Sequence, residues 1–151
     1  MPSVTVSDAS PLILLDKIGR LQLLRKMFRE VLVTHQVAAE IGRSLPKWIK
    51  ISSPPKSFGE SLLTHTIGRG EASAIALAFS HKDSLIILDD RRARRVATQL
   101  GLIVTGTLGV IVQAKNAGYL RSVKRVLVDI SKTDFRLSND LIRKTLQLAN
   151  E

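Results

Sequence analysis

The sequence predicts an α/β fold in which helices wrap a parallel β-sheet. Short runs rich in Val, Ile and Leu alternate with longer stretches of helical periodicity, the order expected of successive βαβ units. The runs are continuously apolar rather than alternating, as in strands covered on both faces. No repeat, low-complexity tract or long linker interrupts this pattern, so residues 1–151 are expected to form a single domain.

Strands are expected over residues 4–7, 31–34, 49–51, 85–88 and 103–105. Helices fill the gaps. Ser10 followed by Pro11 reads as an N-cap and a first helical residue, opening a helix to about residue 18 that Gly19 ends. A second helix is expected over 21–28, and a third from Thr34 or His35 through Glu40 toward Gly42. Further helices are expected over 70–79, 91–100 and 107–117, with Gly101 and Gly118 where C-caps belong. Residues 122–131 and 138–149 read as two amphipathic helices, while 58–66 carries no readable pattern.

Composition narrows the function classes. Hydrophobic residues make up 44% of the chain and aromatics only 4%, so the core must be built from Leu, Ile, Val and Ala. A domain of this size buries roughly 68–70% of its unfolded surface, enough without metal or disulfide staples. The absence of cysteine excludes disulfides, thiolate zinc sites and cysteine nucleophiles, and suits a reducing compartment. No apolar run reaches the ~18 residues of a membrane span. No basic segment precedes an apolar one at the start of the chain, so no secretory signal is expected and a cytoplasmic location is. The net charge of +10, from 23 Lys and Arg against 13 Asp and Glu, attracts polyanions, chiefly nucleic acid and less readily an anionic membrane.

Several acids fall where ligands bind in such folds. Asp8 directly follows the first strand, and Asp89 and Asp90 directly follow the fourth. In a sheet of order 3-2-1-4-5 these strands are neighbours astride the point where the order reverses, and the acids face each other across one crevice. Asp8 has a second reading as a helix-capping turn residue, a role that Ser10 fills better. One of Asp89 and Asp90 is expected to cap the following helix and the other to reach the crevice. Glu71 opens an inward stripe with Ala74, Ile75 and Ala78, although the helix dipole alone also favours an acid there. Glu40 shares a face with Val37 and Ile41, or sits exposed at its rim. Carboxylates gathered at one point repel unless a cation neutralises them, and hard oxygen ligands suit Mg²⁺ or Mn²⁺. Such a site can activate water for attack on a phosphodiester.

The helix over 91–100 turns Ala93, Val96, Ala97 and Leu100 inward, leaving Arg91, Arg92, Arg94 and Arg95 outward, directly after Asp90. A solvated face is the ordinary reading of such a run; beside acids, arginines also bind phosphate. Arg69 can join them, with Lys47 and Lys50 more distant. Trp48 reads as partly buried packing. His35, His65 and His81 read as surface residues without a role.

Together these segments resemble the motifs of the PIN-domain nucleases. Ser7-Asp8-Ala9-Ser10-Pro11-Leu12-Ile13 is similar to the first motif and residues 31–41, carrying Glu40, to the second. Residues 70–78, beginning Gly70-Glu71-Ala72, are similar to the third, and Ile87-Leu88-Asp89-Asp90-Arg91 to the fourth. Residues 105–110, Thr-Gly-Thr-Leu-Gly-Val, also look like a branch of that family. The third acid is Glu where the family often has Asp. The two aspartates of the fourth motif are adjacent rather than separated by one residue.

The resemblance implies a three-layer α/β/α fold with a five-stranded parallel sheet, and a Mg²⁺-dependent endoribonuclease acting on RNA. It implies an acidic quartet of Asp8, Glu40, Glu71 and either Asp89 or Asp90, with Ser10 near the metal. Arg91, Arg94 and Arg95 are the expected substrate contacts. Many small stand-alone members are toxins of the VapC type restrained by a small antitoxin protein, and members often form homodimers. The alternative is a non-catalytic RNA-binding or protein-interaction module on the same fold. A small-molecule α/β domain fits less well, because no glycine-rich phosphate loop follows the first strand.

Overall fold

The computed structural model describes residues 2–56, 59 and 63–151. Five strands, β1 (Val4–Ser7), β2 (Val31–Val33), β3 (Ile49–Ile51), β4 (Ser84–Ile87) and β5 (Ile103–Thr105), pair in the order 3-2-1-4-5. Every pairing is parallel. Eight helices are seen among the described residues: α1 (Ala9–Lys17), α2 (Gln22–Met27), α3 (His35–Ile41), α4 (Arg69–Phe79), α5 (Arg91–Gln99), α6 (Thr107–Asn116), α7 (Val123–Ser131) and α8 (Asn139–Leu148).

Every residue of β1, β2 and β4 is buried, including those at alternating positions, so helices cover both faces of the sheet. The edges differ from the expectation of full burial. Ile103 of β5 is 66% exposed, because an edge strand has a neighbour on one side only.

Two strand boundaries shift from the expected ones for local reasons. β2 stops at Val33 because the Thr34 hydroxyl accepts the Val37 N–H and caps α3. β4 begins at Ser84, which pairs with Val4, and ends before Leu88, whose N–H donates to the Thr105 carbonyl instead. Gly101 (φ +82°) and Gly118 (φ +86°) follow α5 and α6 in the left-handed conformation expected of C-terminal caps. Of the stretch 58–66, Phe58 and residues 60–62 lie outside the described residues; Leu63 to Ile67 form a turn closed by Ile67 N–H on the Leu63 carbonyl.

Helix α4 is covered on more than the one face its periodicity marks. Gly70 and every residue from Ala72 to Ala78 are buried, and the helix packs on β1, β4, α3 and α5. Four alanines at alternate positions let those neighbours close in. Among the described residues, no helix is long and apolar enough to cross a membrane.

The C-terminal helices are tied down by one side chain. The Glu151 carboxylate accepts from Lys115 Nζ, Ser122 Oγ and the Val123 and Lys124 N–H groups at the start of α7. The Lys115 bond is the main reason its pKa falls from 4.5 to about 2. A depressed carboxylate stabilises the fold above its unfolded pKa and loses that contribution as pH falls through the folded value. Glu151→Gln is therefore expected to lower Tm at pH 7, with the gap to wild type closing between pH 4.5 and 2 in thermal melts.

Candidate active site

The carboxyl ends of β1 and β4 meet where the strand order reverses. Ser7 pairs with Ile87, and the Asp8 N–H carries the ladder one step further by donating to the Ile87 carbonyl. Asp8 is thereby placed beside the chain that leads into Asp89 and Asp90.

Asp8, not Ser10, occupies the N-cap position of α1, with extended backbone (φ −77°, ψ 173°). The strand runs into the helix without an intervening turn, so the helix starts two residues earlier than the Ser10-Pro11 pair suggests. Pro11 falls third in the helix, where its missing N–H still costs no intrahelical bond. Ser10 is exposed in the first turn. The Asp8 side chain makes no capping bond to that turn. It is 6% exposed, and its Oδ1 is buried without a hydrogen-bond partner. Burial is the main cause that lifts its pKa from 3.8 to about 6; the charges of Glu40, Asp89 and Asp90 add to it, against a bond from the Ala9 N–H.

Glu71 lies in the first turn of α4, and its Oε2 is likewise buried and unpartnered. Its pKa rises from 4.5 to about 7, first through burial and then through the charges of Asp8 and Asp90. A hydrogen bond between the Glu71 and Asp90 carboxyl groups favours the protonated form further.

Glu40, exposed near the end of α3, lies beside the start of α4, and a clasp joins the two helices. Ser73 Oγ donates to the Gly70 carbonyl at 2.7 Å and lies 2.6 Å from Thr34 Oγ1. Each hydroxyl has one proton, so Thr34 donates to Ser73 while accepting from Val37. The Glu40 carboxyl lies against the start of α4, where a Cβ at Gly70 would lie 2.7 Å from Glu40 Cδ. Only glycine leaves that space free.

Both adjacent aspartates cap helices. Asp90 Oδ2 accepts from Ala93 N–H at 2.9 Å and caps its own helix, α5. Asp89 caps α6 from across the chain, accepting from Thr107 N–H at 2.8 Å and Thr107 Oγ1 at 2.5 Å. It supplies the side-chain cap that Gly106, at the N-cap position, lacks. The expected division between a capping and a site-facing aspartate thus does not hold as stated. Asp90 does both, bonding its helix with one oxygen and meeting Glu71.

A family model described as a PIN domain (DUF3368) matches residues 4–151. The chain belongs to the PIN-domain family. No curated protein is significantly similar to it in sequence. PIN domains are generally nucleases and typically use divalent metals.

In this PIN domain, no three His, Asp or Glu side chains among the described residues stand close enough to hold an ion together. The donors nonetheless fit a hard divalent cation in kind. Asp8 and Glu71 each present a buried oxygen without a partner, and both are raised by burial and by neighbouring negative charge. Mg²⁺ needs only one or two carboxylates, because it keeps several of its waters.

Beside the acids lies a cavity of about 610 Å³, lined by His65, Glu71, Asp90, Arg91, Arg92 and Arg95. Three cations thus face two acids. Arg92 makes one long, exposed bond, donating to the Thr66 carbonyl at 3.4 Å. His65 and Arg92 are additions to the expected site. His65 lies in the stretch without readable periodicity, and Arg92 is one of four outward arginines that helical phase alone does not separate. Arg94 turns elsewhere and donates to the Leu88 carbonyl at 2.8 Å. Arg69, Lys47 and Lys50 are exposed outside this lining, and Trp48 packs half-buried on the core.

The raised pKa of Asp8 has a measurable consequence. A carboxyl raised from 3.8 to about 6 contributes stability at low pH and loses it as pH rises through the folded value. In EDTA, Asp8→Asn is therefore expected to melt higher than wild type at pH 8, by on the order of 1–3 kcal/mol or a few degrees. At pH 4 the advantage disappears. Calorimetry at the two pH values checks it.

Proposed function

We propose that this PIN domain is a Mg²⁺-dependent endoribonuclease, with Mn²⁺ an effective substitute. The observation that carries the reading is the pair of buried, unpartnered oxygens on Asp8 and Glu71 beside an arginine-lined cavity. Asp8 and Glu71 would supply the carboxylate ligands of the cation, with Asp90 beside Glu71 and Glu40 against the first turn of α4 at the edge of the cluster. A cation held there would supply Lewis-acid chemistry for phosphodiester hydrolysis, activating water and offsetting charge on the departing oxygen.

The chain's own groups do the remaining work. Arg91, Arg92 and Arg95 line the approach and bind the phosphates on either side of the scissile bond, giving affinity without sequence information. Asp89 and Asp90, each bonded to a helix N-terminus, hold the β4 end of the site still. The burial of Asp8 excludes bulk water from one side of the reacting phosphate. The net charge of +10 draws a polyanion toward this face in spite of the acids.

RNA as the substrate, and a toxin role restrained by a small antitoxin, follow from the resemblance to small stand-alone members of the family. A purely binding module fits the acids poorly, since uncompensated carboxylates at a polyanion site weaken binding.

Purified protein is expected to cleave single-stranded RNA in Mg²⁺ or Mn²⁺. Because disturbing even the groups behind a metal ligand costs about 10–100-fold, Asp8→Asn is expected to lose ~100-fold or more while keeping its fold by circular dichroism. Undiminished cleavage in EDTA, or an active Asp8→Asn protein, overturns the proposal. Growth arrest on expression, absent for Asp8→Asn, tests the toxin role.

A further inference from the structure

A second cavity, of about 510 Å³, shares Arg91 with the first. It lies between the β5–α6 connection and α8. Val104, Leu108, Val112, Leu141 and Leu148 wall it. Leu148 is 69% and Leu141 42% exposed, so α8 holds apolar surface open to water here. Arg91, Arg94 and Lys144 also line it, with Asp89 the one acid among its described lining residues. The Asp89 oxygens are already engaged by Thr107, which leaves the cations in excess.

We propose that this cavity is a base-binding subsite, which takes an unpaired nucleobase of the RNA strand whose backbone passes Arg91 to the carboxylates. The proposal rests on the nuclease reading and names the substrate feature that reading leaves open. Three properties of the cavity support it. Its volume lies within the roughly 300–1,000 Å³ of small-ligand sites. Its branched apolar walls suit the flat face of a base, which buries there by van der Waals packing without regard to sequence. Its cations suit the phosphates on either side of that base. An apolar protein segment would satisfy the walls but bring no anion to Arg91 and Arg94.

The polar groups of the cavity can be released toward a ligand. Lys144 Nζ lies 3.2 Å from Asp140 Oδ2, and both side chains are mostly exposed, so exchanging that pair for a phosphate costs little. Thr105 Oγ1 makes only a long bond, 3.4 Å, to the Gly106 carbonyl. Gly109 keeps the space beside that hydroxyl clear, since a Cβ there would collide with it. Thr105 is therefore the group placed to turn toward a base edge. A base can enter only from a single strand, because in a duplex it is stacked and paired.

The test compares bases with backbone alone. Full-length protein with isotope-labelled methyl groups is titrated at low salt in EDTA with a short single-stranded RNA, and separately with an abasic ribose-phosphate oligomer of equal length. The RNA is expected to shift the methyl signals of Leu141, Leu148 and Val112, and the abasic oligomer to leave them in place. Leu141→Ser/Leu148→Ser, at two exposed positions, is expected to weaken RNA binding about tenfold and abasic binding not at all. Equal shifts with both oligomers overturn the subsite. Unmoved methyls overturn it too, and leave the cavity to a protein segment. Cleavage in Mg²⁺ without base-dependent shifts ends the subsite but spares the nuclease reading. Base-dependent shifts without cleavage do the reverse.

Discussion

Parallel pairing of β1 with β4 at the centre of the sheet is the constraint on which the rest of the site depends. Two segments about eighty residues apart run side by side in register from Val4 with Ser84 to Ser7 with Ile87. Their carboxyl ends must then finish together. At that point one strand delivers Asp8 and the other leads into Asp89 and Asp90. Because both strands are buried throughout, a slip in register would carry apolar side chains off the core, so the meeting of the acids is protected by the packing of the whole sheet.

The acids so gathered repel one another, and the surrounding structure is built to hold them in spite of it. Asp89 and Asp90 are each tied to a helix N-terminus, where N–H groups partly offset their charge. Glu40 stays exposed beside Gly70, where the Thr34–Ser73–Gly70 clasp ties α3 to α4. For Asp8 and Glu71 the single backbone bonds, at Ala9 and Gly68, are outweighed by burial and neighbouring charge, and their affinity for protons rises. The strain is therefore concentrated on the two carboxyls with unpartnered buried oxygens, where a cation relieves it most.

Much of this was legible in the residues themselves. All five strands lie within a residue of the positions their apolar runs indicate, and the helices begin and end close to their capping residues and glycines. Asp8, Asp89 and Asp90 stand out because they end apolar runs. Glu71 stands out because an acid at the head of a buried stripe needs a reason. The α1 cap was misread because Ser10-Pro11 is a strong local signal, and it lost to a strand that continues directly into the helix. Arg94 looked like its three neighbours because helical phase says only that a side chain points outward. Which outward groups find a carbonyl to bind depends on what packs next to them.

The sequence by itself determined the alternation of elements, the family and the acids that end the strands, because periodicity and capping act within a few residues of one another. Only the tertiary structure decided which oxygens have partners. Asp89 meets Thr107 eighteen residues on, Thr34 meets Ser73 across thirty-nine, and Glu151 closes over the start of α7. Such bonds depend on how helices settle against the sheet, and no local pattern encodes that distance. The same holds for the cavities on either side of Arg91, whose walls come from segments that only packing brings together.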